Sequence, residues 1–120
     1  MNEVGIGILG GGYMGKAHAV GMSAGGAGFN TSLRPKLEMV CARSEESAER
    51  YRSQFGFSRA TADWQTLVTN PKVDAIIIAT PQETHRVIAE AAFALGKHVF
   101  CEKPLGASLE DSRTMVAAAE

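Results

Sequence analysis

The chain predicts an α/β domain built as a doubly wound parallel sheet with helices on both faces. Short apolar runs rich in β-branched and aliphatic residues recur along it without clean polar alternation, which is the pattern of strands buried on both sides. Helical patterns fill the intervals between them. The connections are mostly two to six residues long, as right-handed strand-helix-strand crossovers require.

Taken in order, the strand-like runs are EVGIGILG at 3–10, LEMVCA at 37–42, VDAIIIAT at 73–80 and KHVFCE at 97–102, with SRAT at 58–61 as a minor fifth. Helices are expected over Tyr13–Met22, Glu45–Phe55, Trp64–Thr69 and Thr84–Leu95. In the last of these Ile88, Ala91 and Leu95 share one face, and Gly96 offers a stop. The stretch GMSAGGAGFNTSLRP at 21–35 is rich in small and polar residues and reads as a long loop. Ser108 and Asp111 make a capping box for a terminal helical stripe through Met115, Val116 and Ala119 that meets no stop signal. Residues 1–120 are therefore expected to be one domain, and a piece of a longer protein.

Composition removes several function classes. Twelve basic and thirteen acidic side chains give a net charge of −1, and no Lys/Arg cluster could follow a phosphate backbone, so nucleic acid is not expected as a partner. The apolar start is broken by glycines after a few residues and lacks a basic leader; neither a membrane span nor a signal peptide is expected, and the location expected is cytoplasmic. Cys41 and Cys101 lie far apart inside apolar runs, which suits reduced, buried thiols better than a disulfide or a metal site.

GILGGGYMGKAHA places Gly10, Gly12 and Gly15 as G-x-G-x-x-G directly after a strand and at the start of a helix. That is the context of the Rossmann dinucleotide-binding fingerprint. Gly10 would allow the tight turn, Gly12 the approach of a pyrophosphate, and Gly15 close packing of the helix, with Tyr13 and Met14 in the same turn. The free N–H groups of the helix start and the dipole behind them favour a diphosphate.

The end of the second strand separates the two nicotinamide dinucleotides, because an acid there binds a ribose 2′-hydroxyl and an arginine a 2′-phosphate. The text is VCARSEE. Ala42 stands at the acidic position, followed by Arg43 and Ser44, a cationic fork and a hydroxyl suited to phosphate, so NADP is favoured over NAD. Ala42 lies 27 residues past Gly15, beyond the ~20 of the fingerprint, an excess the loop at 21–35 would absorb. The plainer reading makes Arg43 a solvated helix-opening residue and sends Glu45 or Glu46 to the ribose.

Ligands of open parallel sheets sit outside the carboxyl ends of the strands. Thr80 and Pro81 leave one such end, ahead of a helix with His85 in its first turn, and Glu102, Lys103 and Pro104 leave another. GGGYMGKAH, ATPQETH and GKHVFCEKPL, in this order and spacing, resemble the N-terminal domain of the glucose-fructose oxidoreductase, inositol dehydrogenase and rhizopine catabolism family, written Gfo/Idh/MocA. The resemblance covers essentially the whole chain.

It implies that Lys103 lies beside the nicotinamide and substrate, contacts substrate hydroxyls and takes part in proton transfer as the catalytic residue. Thr80, Pro81, Gln82 and His85 would line the nicotinamide end, with Gln82 where the family usually has Asn. Chemistry agrees on the lysine, since alcohol oxidation releases a proton as hydride leaves. Glu102 would orient Lys103 through a charged hydrogen bond and line the same site. His18 reads as a packing or helix-orienting residue, His98 as exposed, and Trp64 as an aromatic tucked under a short capped helix.

The resemblance further implies a second, antiparallel domain that binds substrate, supplies an Asp and a His, and forms homo-oligomer contacts. The expected function is thus the cofactor-binding half of an NADP- or NAD-dependent oxidoreductase of sugars, polyols or related hydroxy compounds, with little turnover alone. A stand-alone cofactor-binding or redox-sensing module is the alternative, though it would not need Lys103. An S-adenosylmethionine methyltransferase would need neither Lys103 nor the Ala42-Arg43 pair.

Overall fold

The computed structural model of the chain describes residues 2–29 and 33–120, with backbone alone at 2, 13 and 24–29. Strands β1 (Asn2–Leu9), β2 (Leu33–Cys41), β3 (Arg59–Thr61), β4 (Ala75–Ile78) and β5 (His98–Cys101) alternate with helices α1 (Tyr13–Phe29), α2 (Glu45–Phe55), α3 (Trp64–Thr69), α4 (His85–Ala94) and α5 (Leu109–Ala119). A short 3₁₀ turn, Gln82–Thr84, precedes α4. The sheet is wholly parallel with order β3-β2-β1-β4-β5, so the chain works outward from β1 in both directions. The doubly wound α/β Rossmann expectation is met.

Alternation along the strands explains why they carry no polar period. Ile76 and Ile78 face α3, α4 and α5 in one core with Leu9, Met39, Leu67, Ile88 and Met115. Ile77 faces the opposite core with Ile6, Ile8, Val40, Ala19 and Phe57. Both pleat faces are covered, so both sets of side chains must be apolar.

Helix ends follow local chemistry. Ser44 caps α2 by accepting from Ser47 N–H at 3.1 Å, with Glu45 and Glu46 in the first turn, and Gly56 at φ +81° closes it by donating to Arg52 O. Ser108 caps α5 by accepting from Asp111 N–H at 3.1 Å.

Two expectations change. The stretch predicted as a loop at 21–35 is helical to Phe29 and strand from Leu33, with 30–32 outside the described residues. Glycine costs a helix only about 1 kcal/mol per residue, and no proline stops this one, which lies along β2. β2 likewise starts before Leu37 and includes Pro35; β3 reaches only Met39–Cys41, so the outer edge of β2 is open at Pro35. A register shift between Ile6 and Gly7 leaves Glu38 as the extra residue of a bulge. Among the described residues, no helix is long and apolar enough to cross a membrane, and no His/Cys/Asp/Glu cluster could hold a metal ion.

Candidate functional site

The carboxyl ends of β1, β2 and β4 open onto a cleft of about 750 Å³. Its floor is the turn Gly10–Gly12, one wall is Ala42 and Arg43 with Ala62 and Trp64, and the other is Thr80 and Pro81 with Val87 and Ile88 of α4.

Each glycine of the turn has its own reason. Gly10 sits at φ +108°, and a Cβ there would lie 2.4 Å from Ala79 O. Gly10 N–H donates to Cys41 O at 2.9 Å, tying the turn to β2, while Ala79 N–H donates to Leu9 O at 2.8 Å, tying it to β4. A Cβ on Gly15 would fall 1.9 Å from Gly10 O, so the first turn of α1 presses on the loop's own carbonyl.

Gly12 is different: a Cβ there meets nothing within 4 Å. The protein itself gives no reason for glycine at that position, whereas a ligand resting on the loop does. The first intrahelical bond of α1 runs from Lys16 N–H to Gly12 O at 3.0 Å, so the N–H groups ahead of it have no partner inside the helix. The first turn of α1 carries no acidic residue, unlike those of α2 and α5. Such a turn fits a diphosphate.

Gly11, which the fingerprint leaves free, is constrained as well. A Cβ would lie 1.9 Å from the ring of Tyr51 on α2, and that ring has the Lys16 ammonium 5.5 Å from its centroid. The run of three glycines hinted at this, but nothing local announced Tyr51.

The predicted residues divide. Gly10, Gly12, Arg43, Thr80 and Pro81 line the cleft together. Gly15 is buried behind the loop, and Met14 is 43 % exposed on α1; the side chain of Tyr13 lies outside the described residues. The Ser44 hydroxyl is occupied by the α2 cap and by Ser47 Oγ at 3.0 Å, which leaves Arg43 as the polar side chain at the end of β2. Glu45 accepts from Ala62 N–H at 3.1 Å and is thereby committed to the β3–α3 turn. Trp64 packs partly against the core, as expected of an aromatic under α3, and one side of it also forms cleft wall.

His85 is 1 % exposed and works beneath the site. Its Nδ1 lies 3.1 Å from Pro104 O and 3.0 Å from Leu105 O, and its Nε2 lies 2.9 Å from Thr80 O. It therefore packs between the turn after β4 and the turn after β5, its one N–H donating to a carbonyl of one of them, and its ring nitrogens face backbone carbonyls rather than a ligand. The Lys103–Pro104 peptide in that second turn is cis.

Glu102 and Lys103 leave β5 beside the exit of β4, with Glu102 N–H donating to Ile78 O at 3.0 Å. The expected Glu102–Lys103 hydrogen bond is not formed. Glu102 Oε1 instead lies 2.6 Å from Nε2 of His18 on α1, with both side chains 18 % exposed. The His18 ring also meets Phe100 edge-on at 5.1 Å between centroids. Neighbours in sequence on an extended segment point apart, so the carboxylate turned to α1 while Lys103 faces solvent. His98 is exposed, as expected.

Burial and the Glu102 charge push the Cys101 thiol up to about 11, and burial with nearby Asp63 and Glu45 pushes Cys41 up to about 11. Both are free thiols. A thiol raised in the folded state keeps its proton there while the unfolded chain loses it, so this contribution is whole below about pH 9 and lost towards pH 11. Iodoacetamide at pH 8 is expected to leave both cysteines unmodified in the folded chain and to label both in urea. Rapid labelling without denaturant would contradict this.

The fold and cleft define a dinucleotide-binding α/β domain. Residues 4–120 match the oxidoreductase family with an NAD-binding Rossmann fold, Gfo/Idh/MocA, and the chain belongs to it. Levoglucosan dehydrogenase of Pseudarthrobacter phenanthrenivorans is 36% identical over 119 residues, covering 98% of this chain and 30% of the relative. 1,5-Anhydro-D-fructose reductase of Ensifer adhaerens is 43% identical over 83 residues, 67% of this chain and 25% of the relative. The structure of levoglucosan dehydrogenase in complex with NADH and levoglucosan superposes at a TM-score of 0.94 and 35% identity over 98% of this chain and 32% of that one. The chain thus spans about a third of the relatives it matches.

Proposed function

We propose that the chain is the cofactor-holding part of a cytoplasmic NADP- or NAD-dependent oxidoreductase acting on a sugar, polyol or related hydroxy compound, NADP being preferred. The observation that carries the cofactor reading is Gly12, where an added Cβ would meet nothing within 4 Å, at a helix start whose first N–H groups have no partner inside the helix. The resident dinucleotide fits the residues present: Gly10–Gly12 would hold the diphosphate, Arg43 the 2′-phosphate, Trp64 and Ala62 the adenosine end, and Thr80–Pro81 the nicotinamide end. Held by these residues, the nicotinamide would supply hydride-transfer chemistry to a substrate carbinol carbon. Lys103, solvent-facing and without an ion pair among the described residues, would take the hydroxyl proton as that carbon is oxidised and return it in the reverse direction.

Substrate identity and assembly would rest on a further domain, as the levoglucosan dehydrogenase relative, about three times as long, suggests. The preference for NADP is supported by Ala42 at the acidic position, by Arg43 in the cleft wall and by Glu45 being held at Ala62.

Trp64 is the single tryptophan of the chain and stands in the cleft wall, so its emission reports occupancy directly. Titration with NADPH and NADH is expected to quench it, NADPH at the lower concentration. Arg43→Ala should weaken NADPH about tenfold, the size of one charge-assisted phosphate contact, and leave NADH nearly unchanged. Equal affinities of the unaltered chain for the two would overturn the preference, and no binding of either would overturn the cofactor reading itself.

A further inference from the structure

Two adjacent charges at the end of β5 meet different fates. Lys103 is exposed and unpaired among the described residues, whereas Glu102 is largely covered and held at 2.6 Å by His18, itself steadied edge-on against Phe100. β5 is already joined to β4 through backbone, so the Glu102–His18 contact is made in addition to the sheet's own bonds.

The cleft runs from Arg43 at β2, over the glycine turn, to Thr80 and Pro81 at β4. A dinucleotide with its adenosine half on the β2 side carries its nicotinamide towards β4, and the next strand end beyond β4 is that of β5, which Glu102 leaves just outside the cleft lining. This step rests on the dinucleotide reading above. The oxidised nicotinamide ring is a cation and the reduced ring is neutral, while every other part of the two cofactor forms is the same. A fixed carboxylate beside the ring therefore acts on their difference.

We propose that Glu102, positioned by His18, is an anionic edge to the nicotinamide end that favours the oxidised, cationic ring over the reduced one. Glu102 supplies the charge. His18 is a positioning residue that keeps this carboxylate from swinging out to Lys103 or to solvent.

The test is the ratio of dissociation constants, reduced over oxidised, measured on this chain by calorimetry. Loosening of the fold weakens both forms alike and cancels from the ratio, so a merely structural role would not move it. Glu102→Gln is expected to lower the ratio about fivefold, a partly screened charge effect at short range. His18→Leu should lower it part of the way, and His18→Gln, which keeps an N–H donor near Nε2, should restore it. A ratio within about twofold of the unaltered chain in both Glu102→Gln and His18→Leu, beside intact binding, would overturn this inference alone. Failure of the unaltered chain to bind either form would overturn the dinucleotide reading and this inference with it.

Discussion

Gly15→Ala is expected to lower the melting temperature by roughly ten degrees or to prevent folding, while Gly12→Ala leaves it within a few degrees and weakens dinucleotide binding about tenfold or more. The two substitutions add the same methyl three residues apart. At Gly15 it would lie 1.9 Å from Gly10 O, a backbone atom held by the bond from Gly10 N–H to Cys41 O, so α1 and the sheet would have to part. Overpacking against a rigid neighbour costs about 3 kcal/mol, a large share of the roughly 5–15 kcal/mol that holds a domain of this size. At Gly12 the methyl enters open space, and the backbone there needs no positive φ. It obstructs only what rests on the loop. Thermal unfolding with and without NADPH checks both, and a Gly12→Ala protein that bound dinucleotide as well as the parent would remove the main support for the cofactor site.

If the chain is part of the oxidoreductase proposed above, Lys103→Ala in that full-length protein is expected to cut kcat by about 10² to 10⁴, the usual contribution of a positioned proton carrier. Cofactor binding should hardly change, since the turn Gly10–Gly12 and Arg43 lie at other strand ends. The distinguishing readout is a kcat lowered far more than the dinucleotide dissociation constant changes, across a panel of sugars and polyols. Unchanged turnover of every substrate would remove Lys103 from the chemistry.

The architecture was legible because buried parallel strands and helix caps write themselves locally. Ile76–Ile78, the Ser108–Asp111 box and the Gly10–Gly15 turn each declare their role within a few residues. The length of α1 was not, since Gly and Ser lower helix propensity and only packing along β2 reveals that the helix continues. Site residues reading as single strand ends, such as Arg43 and Thr80, stand in the cleft wall. Pairings across the fold were hidden: His18 and Glu102 are 84 positions apart, and Tyr51 meets Gly11 only because α2 packs over the loop. Ser44 reads in sequence as a phosphate contact, but its hydroxyl is taken by the cap of α2.

The carbonyls gathered by His85 bear on motion. With Thr80 O beside one ring nitrogen and Pro104 O and Leu105 O beside the other, the buried ring fills the space between the turns after β4 and β5, and His18 meets Glu102 at the same strand end from α1. Moving either turn away would open space around a buried imidazole, where lost packing and an unmet polar group are both costly. The wall of the cleft at Thr80 and Pro81 is thus backed by packed side chain rather than by open space, a stiff rim beside the glycine turn.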